Sequence, residues 1–221
     1  IFQVAPLEIL KLKTFDYLVP KKEPTGNFVI LNITEEDVQR EGGWPFPRDR
    51  LAEIQRDLVR NGAIGVGWVI SFVDKDRFGG DEEYILAIQK SPNTVVATFS
   101  YDNEKYPLPT GTVILGEDVS GIRLPGLLPN IKGIRESVLE GVVSAPVDVD
   151  NLVRRLPLLY EIPNGWVPSF GTQVLKSLTG SNTYIIKTNA NGISEITVRG
   201  IPPVPTDSLG RKWISWVDTP E

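Results

Sequence analysis

Cysteine, histidine and methionine are all absent from this chain of 221 residues. Without cysteine there is no disulfide and no thiolate nucleophile. Without histidine there is no imidazole general base, and without both there is no Cys/His zinc site. A cysteine-free chain is indifferent to redox compartment and is compatible with the periplasm. The lack of methionine, even at residue 1, reads as the mark of a processed fragment, with further residues expected outside the sequence. Long apolar runs are missing too: none approaches the ~20 residues of a membrane-spanning helix. Ile1-Phe2-Gln3-Val4 is at most the tail of one, and no signal peptide is visible. Positive charge is in deficit. The 23 Lys and Arg against 28 Asp and Glu leave a net charge of −5, which argues against a phosphate-binding surface and so against a nucleic-acid partner.

What is present is enough apolar content, 41%, for one large core or two small ones. The most informative tract is GGWPFPRDRLAEIQRDLVRNGAIGVGWVISF, residues 42–72. Pro45 and Pro47 stiffen the turn around Trp44 and Phe46, and Pro47 suits the first position of a helix. Leu51, Ile54 and Leu58 mark one face of that helix, with Ala52 beside them, and Asn61-Gly62 stops it. Residues 64–72 are then apolar on both faces, the pattern of a strand covered from both sides. GAIGVG does not have the dinucleotide-binding spacing, and it leads into a strand rather than opening a helix. No cofactor and no metal is implied. The loop DKDRFGGD places acids at Asp74, Asp76 and Asp81 but lacks the order of a calcium loop. Asp81 is expected to cap a helix over 82–90 with Tyr84, Ile85 and Ile88 inward.

Elsewhere the pattern predicts a helix over 6–18, with Leu7, Ile9, Leu10, Leu12, Phe15 and Leu18 forming a broad apolar face, and a buried strand over 27–33. Thr34 and Asp37 have the spacing of a capping box. Further strands are expected over 94–99, 112–115, 138–143, 152–160 and 213–216, and a loop-rich excursion over 101–130. Asn164-Gly165 and Asn191-Gly192 read as hairpin turns, the second joining 184–188 to 193–199. A helix over 170–178 should point Val174, Leu175 and Leu178 inward, with Gly180 as its stop. No repeat and no internal break divides the chain. The expectation is a single layered α/β domain over 1–221, a mixed central β-sheet flanked by helices.

Four of these segments, taken in order, resemble the second type of CHASE domain, the extracellular sensor associated with cyclases and histidine kinases. They are FVILNITEEDV, the tract from Gly42 to Phe72, VDVDNLVRRLPLL, and KWISW. The chain departs from the pattern where Thr34 and Val69 stand in place of acids, so a polar pocket built on those acids would be altered here. The family also continues beyond the aromatic strand, so its C-terminal part is expected to be missing. The resemblance implies a non-catalytic extracytoplasmic domain of a membrane receptor of cyclase or histidine kinase type. The helix over 1–20 would continue from a membrane segment outside this sequence. Such a domain would answer an unknown small ligand or protein signal through a change in conformation or in the geometry of a homodimer.

The candidate ligand-binding residues are Trp44, Arg48, Asp148, Asp150 and Arg154. Trp44, Phe46 and Arg48 read either as a recognition edge or as a lock on the helix start. Arg154 and Arg155 alternate faces if they lie on a strand, one pairing with Asp148 or Asp150 and the other facing solvent. Trp213 and Trp216, three apart, would face opposite sides of a strand. Two rival readings stay open. One is a free-standing α/β binding protein or assembly subunit. The other is a carboxylate-dependent hydrolase built on Glu35 and Glu36 or on Asp148 and Asp150.

Overall fold

The computed structural model describes residues 5–91, 93–102 and 111–217. The tail at residues 1–4, part of the 101–130 excursion and the last four residues lie outside them. The chain is of the α/β class. Helices alternate with strands that sort into several sheets, one of them mixed.

The centre of the first half is a parallel sheet of three strands, β1 (Val66–Trp68), β2 (Thr94–Thr98) and β4 (Leu139–Val142), in the order β1-β2-β4. Every residue of β2 is buried, as befits a strand covered on both faces. Helices α3 (Arg48–Arg60) and α4 (Asp81–Gln89) cover one face. Leu51, Ala52, Tyr84 and Ile88 pack there with Val66, Trp68 and Val96. Successive strand residues point to opposite faces, so Gly67 faces the other side. There it lies against Phe170 of α6 (Phe170–Thr179). Buried Gln55 joins the layers from α3, accepting from Trp68 Nε1 at 2.6 Å and donating to Thr94 Oγ1 at 3.1 Å.

The second half holds a four-stranded mixed sheet in the order β10-β9-β8-β3. In it β3 (Gly111–Leu115) runs parallel to β8 (Thr183–Asn189), and β8 forms a hairpin with β9 (Gly192–Val198). The edge strand β10 is Val204–Pro205. Tyr184, Ile186, Ile193 and Ile196 are its core. Two short antiparallel pairs complete the set: β6 (Leu159–Ile162) with β7 (Gly165–Pro168), and β5 (Arg155–Pro157) with β11 (Arg211–Trp213). Helix α1 (Ala5–Leu18) lies by the latter pair, with Phe15 stacked on Trp213 at 4.1 Å. The short helices are α2 (Glu35–Arg40) and α5 (Lys132–Arg135).

Part of the local punctuation is as expected, although Pro47 stands at the N-cap of α3 rather than at its first helical position. Thr34 and Asp37 form a capping box at α2. Asn61 caps α3, Gly180 ends α6 in the left-handed conformation, and the turns at 164–165 and 191–192 close hairpins. Several expectations need correction. Residues 27–33 form no strand, and their apolar side chains stand in solvent. The buried central strand is β2; the strand within 64–72 is the shorter β1, at the sheet edge, with Ile64 and Val69 exposed. Helix α1 buries Leu12 but leaves Leu7, Leu10 and Leu18 outside. On α6 the buried side chains are the polar Thr172, Gln173, Lys176 and Ser177, while Leu175 and Leu178 are partly open. The helix cap at 80 is Gly80, not Asp81. The strand expected over 152–160 is two, β5 and β6, broken at Leu158. The closing strand ends at Trp213, leaving Trp216 exposed beyond it.

Candidate functional site

The five candidate residues fall into two clusters on different elements. The first surrounds the start of α3. Buried Phe46 anchors the turn, and Trp44 sets its ring edge against Phe46 at 5.2 Å while remaining 47% exposed. Arg48 is buried. Its guanidinium donates to the Asp81 carboxylate and the Asp74 carbonyl and lies 5.2 Å above the Phe72 ring. The carboxylates of Asp76 and Asp81 in the 74–81 loop are therefore occupied by protein. Asp76 accepts backbone N–H groups from Arg48 at 3.0 Å, Gly80 at 2.9 Å and Phe78 at 3.3 Å. Asp81 accepts from the Asp76 N–H at 3.1 Å. Burial alone would push the Asp76 carboxyl up, but these N–H donors and the Arg48 charge outweigh it and hold the carboxyl below its usual value. No group of three or more metal-ligating side chains occurs among the described residues.

The second cluster centres on Arg154, 2% exposed. It sits just before β5, where the turn at 148–152 closes with the Asp148 N–H donating to the Leu152 carbonyl at 2.8 Å. Asn151 adopts a left-handed φ of 62° there, a conformation asparagine tolerates. The guanidinium reaches three carboxylates. Its Nε and Nη2 grip Asp16 of α1 at 2.6 and 2.7 Å, and Nη1 and Nη2 grip Asp150 at 2.8 Å each. Nη1 also donates to Asp148 at 3.5 Å. An arginine has five N–H donors in a rigid fork, and these contacts use all of them. Hydrogen bonds from Arg154 lower the Asp16 carboxyl and take that of Asp150 to about 2, while the two aspartates raise the Arg154 guanidinium.

Around this clamp the chain closes on itself. Arg155 pairs with Asp148 and lies 5.0 Å over the Trp213 ring. Asp207 holds Arg211 at 2.8 Å. The Ile214 N–H donates to the Arg154 carbonyl at 2.8 Å, and the Lys22 N–H to the Trp216 carbonyl at 2.9 Å. Both arginines are thus engaged, contrary to the expectation that one of them faces solvent.

Asp148, Asp150 and Arg154 are brought together; Trp44 and Arg48 are not joined to them by any contact among the described residues. Asp16 and Asp207 were not anticipated. Asp16 stands 138 positions from Arg154, and its only sequence signal is an acid near the end of a helix otherwise rich in leucine. Two surface grooves are lined by no candidate residue; one of about 980 Å³ runs between α3 and α4, past Arg56, Glu83 and Leu86. Among the described residues the carboxylates whose pKa is displaced, Asp16, Asp37, Asp76 and Asp150, are all displaced downward. A hydrolytic general acid needs the opposite.

A family model, that of the CHASE2 domain, matches residues 1–219. No curated protein and no solved structure matches the chain.

Proposed function

The chain belongs to the CHASE2 domain family, extracellular sensory domains found in cyclases and histidine kinases, and on that premise we propose that it is the non-catalytic sensing part of a membrane-anchored receptor. Its output is a change of packing or of dimer geometry, passed through membrane segments that flank the sequence. The observation that carries this reading within the fold is the Arg154 clamp. One buried guanidinium ties α1 to the 148–152 turn, and the strand that follows it pairs with β11. A signal acts only by preferring one of two states. A clamp of several charge-assisted bonds, closed or opened as a unit, supplies such a pair of states.

No donor of Arg154 is free, so an anionic ligand would have to displace Asp16 or Asp150. The ligand role of Asp148, Asp150 and Arg154 is therefore that of a gate which a carboxylate or similar anion competes to open. Trp44 and Arg48 shape the separate turn at the start of α3. The test is the full-length receptor in cells. Arg154→Gln should shift its basal output toward the signalled level with unchanged surface expression. Unchanged output from a folded, correctly placed variant would overturn the gate. A gene lacking membrane-spanning segments on both sides of this sequence would overturn the receptor reading itself.

A further inference from the structure

Helix α6 carries two stripes. Phe170, Val174 and Leu178 follow one another at helical spacing and lie against Gly65 and Gly67. Thr172, Gln173, Lys176 and Ser177 take the neighbouring side and are buried. That polar side meets β8 of the mixed sheet. Tyr184 donates its hydroxyl to Gln173 Oε1 at 2.6 Å, and Lys176 Nζ stands 4.6 Å from the centre of the Tyr184 ring. A polar helix face inside a protein needs an acceptor for each donor it brings.

Here the acceptors are missing. Lys176 is 7% exposed and Gln173 3%. Neither the Lys176 ammonium nor the Gln173 side-chain amide donates to any acceptor among the described residues. Thr112 pairs with Tyr184 in register, so its side chain faces the same side of the sheet, and its buried hydroxyl has no partner. The contact with the Tyr184 ring attracts the lysine charge but satisfies no N–H. The other buried cations among the described residues hold carboxylates: Arg48 has Asp81, and Arg154 has Asp16 and Asp150. Lys176 has none. Burial pulls its ammonium below the usual lysine value, and no acid acts to hold it up.

We propose that the junction of α6 with β8 binds a small monocarboxylate, Lys176 supplying the charge and Gln173 Nε2 and the Thr112 hydroxyl further hydrogen bonds. Charge sets the class. One buried ammonium among neutral donors balances one negative charge, and a dianion would leave its second charge uncompensated in the interior. The two oxygens of a carboxylate accept from several such donors at once. The site differs in kind from the Arg154 clamp. There an anion must displace an aspartate, whereas here no acid stands in its way. An anion at this place would tie the helix that covers the parallel sheet to the mixed sheet beside it. The inference rests on burial and unpaired donors and stands apart from the sensor reading.

The probe is sodium acetate, compared with sodium chloride and inorganic phosphate at equal ionic strength and neutral pH. Thermal midpoints and isothermal titration calorimetry are the readouts. Acetate should raise the midpoint of the wild type in a saturable way, and phosphate should raise it less. Lys176→Gln should weaken acetate binding at least tenfold, the worth of one hydrogen bond to a charged group. In chloride that variant should be no less stable than the wild type, because it removes an unpaired buried charge. Gln173→Glu keeps the acceptor for Tyr184 and sets a carboxylate one turn from the lysine. It should raise the midpoint in chloride and abolish the response to acetate. Arg154→Gln should respond to acetate as the wild type does. Equal midpoints in acetate and chloride would overturn the proposal, as would a phosphate response larger than that to acetate. So would a lowered midpoint for Gln173→Glu. Acetate binding that survives Lys176→Gln, or that Arg154→Gln removes, would put the ligand elsewhere and overturn it too.

Discussion

At the scale of single residues, the polar groups inside this protein do more to define its geometry than their number suggests. Gln55 is fully buried and serves Trp68 and Thr94 simultaneously. Leucine fits the site by shape but leaves the Trp68 N–H without an acceptor. Stranding one buried donor costs about 1–3 kcal/mol, so Gln55→Leu should lower the urea midpoint despite adding apolar surface; an unchanged or raised midpoint would mean that the bond contributes nothing. Arg154 gives a pH signature. The folded Asp150 carboxyl titrates at about 2, below its ordinary 3.8, and that of Asp16 is also lowered. A depressed carboxylate stabilises the fold fully above its unfolded value and loses that contribution as pH falls through the folded one. The urea-midpoint difference between the wild type and Arg154→Gln should therefore be constant from pH 7 to about 5, shrink below about 4 and nearly vanish at about 2. A difference independent of pH would show that Arg154 acts by packing alone. Both residues were partly visible in the sequence. Gln55 falls on the stripe of Leu51 and Leu58 at helical spacing, where a polar side chain needs a buried partner. Arg154 could be matched to Asp148 and Asp150 because they are near in sequence, while Asp16 could not.

At the scale of elements, what was legible is what local chemistry dictates. The capping box at Thr34, the stop at Asn61-Gly62 and the Asn-Gly hairpins are decided within four or five residues, and all form. Which strands lie inside a sheet is decided by pairing across the chain, and there the apolar pattern misled: 28–33 and 64–72 carry the strongest apolar runs, yet TVVAT at 94–98 takes the centre. The reason is visible in the glycines. Gly67 and Gly141 let α6 approach the sheet so closely that a Cβ on Gly141 would sit 2.6 Å from Phe170 Cα. Because α6 buries polar rather than leucine side chains, its apolar pattern does not announce this face. Gly141→Ala must push α6 outward, since the obstacle is backbone. Overpacking of this kind costs about 1–3 kcal/mol. The measurable consequence is a lower thermal midpoint with faster amide exchange in α6 and β4, and an alanine variant as stable as the wild type would show that the helix does not lie so near.

At the scale of the molecule, stability is distributed unevenly, and α1 lies at the weak end. Among its large apolar residues Leu12 is buried, whereas Leu7, Leu10, Tyr17 and Leu18 are largely in solvent. Its hold on the rest depends on Leu12, on the Phe15 stack over Trp213 and on the Asp16 bonds to Arg154. The parallel sheet, by contrast, is covered by α3 and α4 on one face and α6 on the other. Segments with few buried contacts open locally at a free-energy cost well below that of global unfolding. Asp16→Ala removes one of the two bidentate partners of a buried arginine while leaving Asp150 to satisfy part of it. It should therefore release α1 as a unit. Hydrogen exchange monitored by mass spectrometry should show residues 7–18 losing protection at least tenfold, with β2 and α3 unchanged and the main thermal transition moved by only a few degrees. If protection in β2 falls in step with α1, the helix is part of one cooperative core. A gate that moves independently of the sheet would then have no physical basis, and the sensing mechanism built on the Arg154 clamp would fall with it.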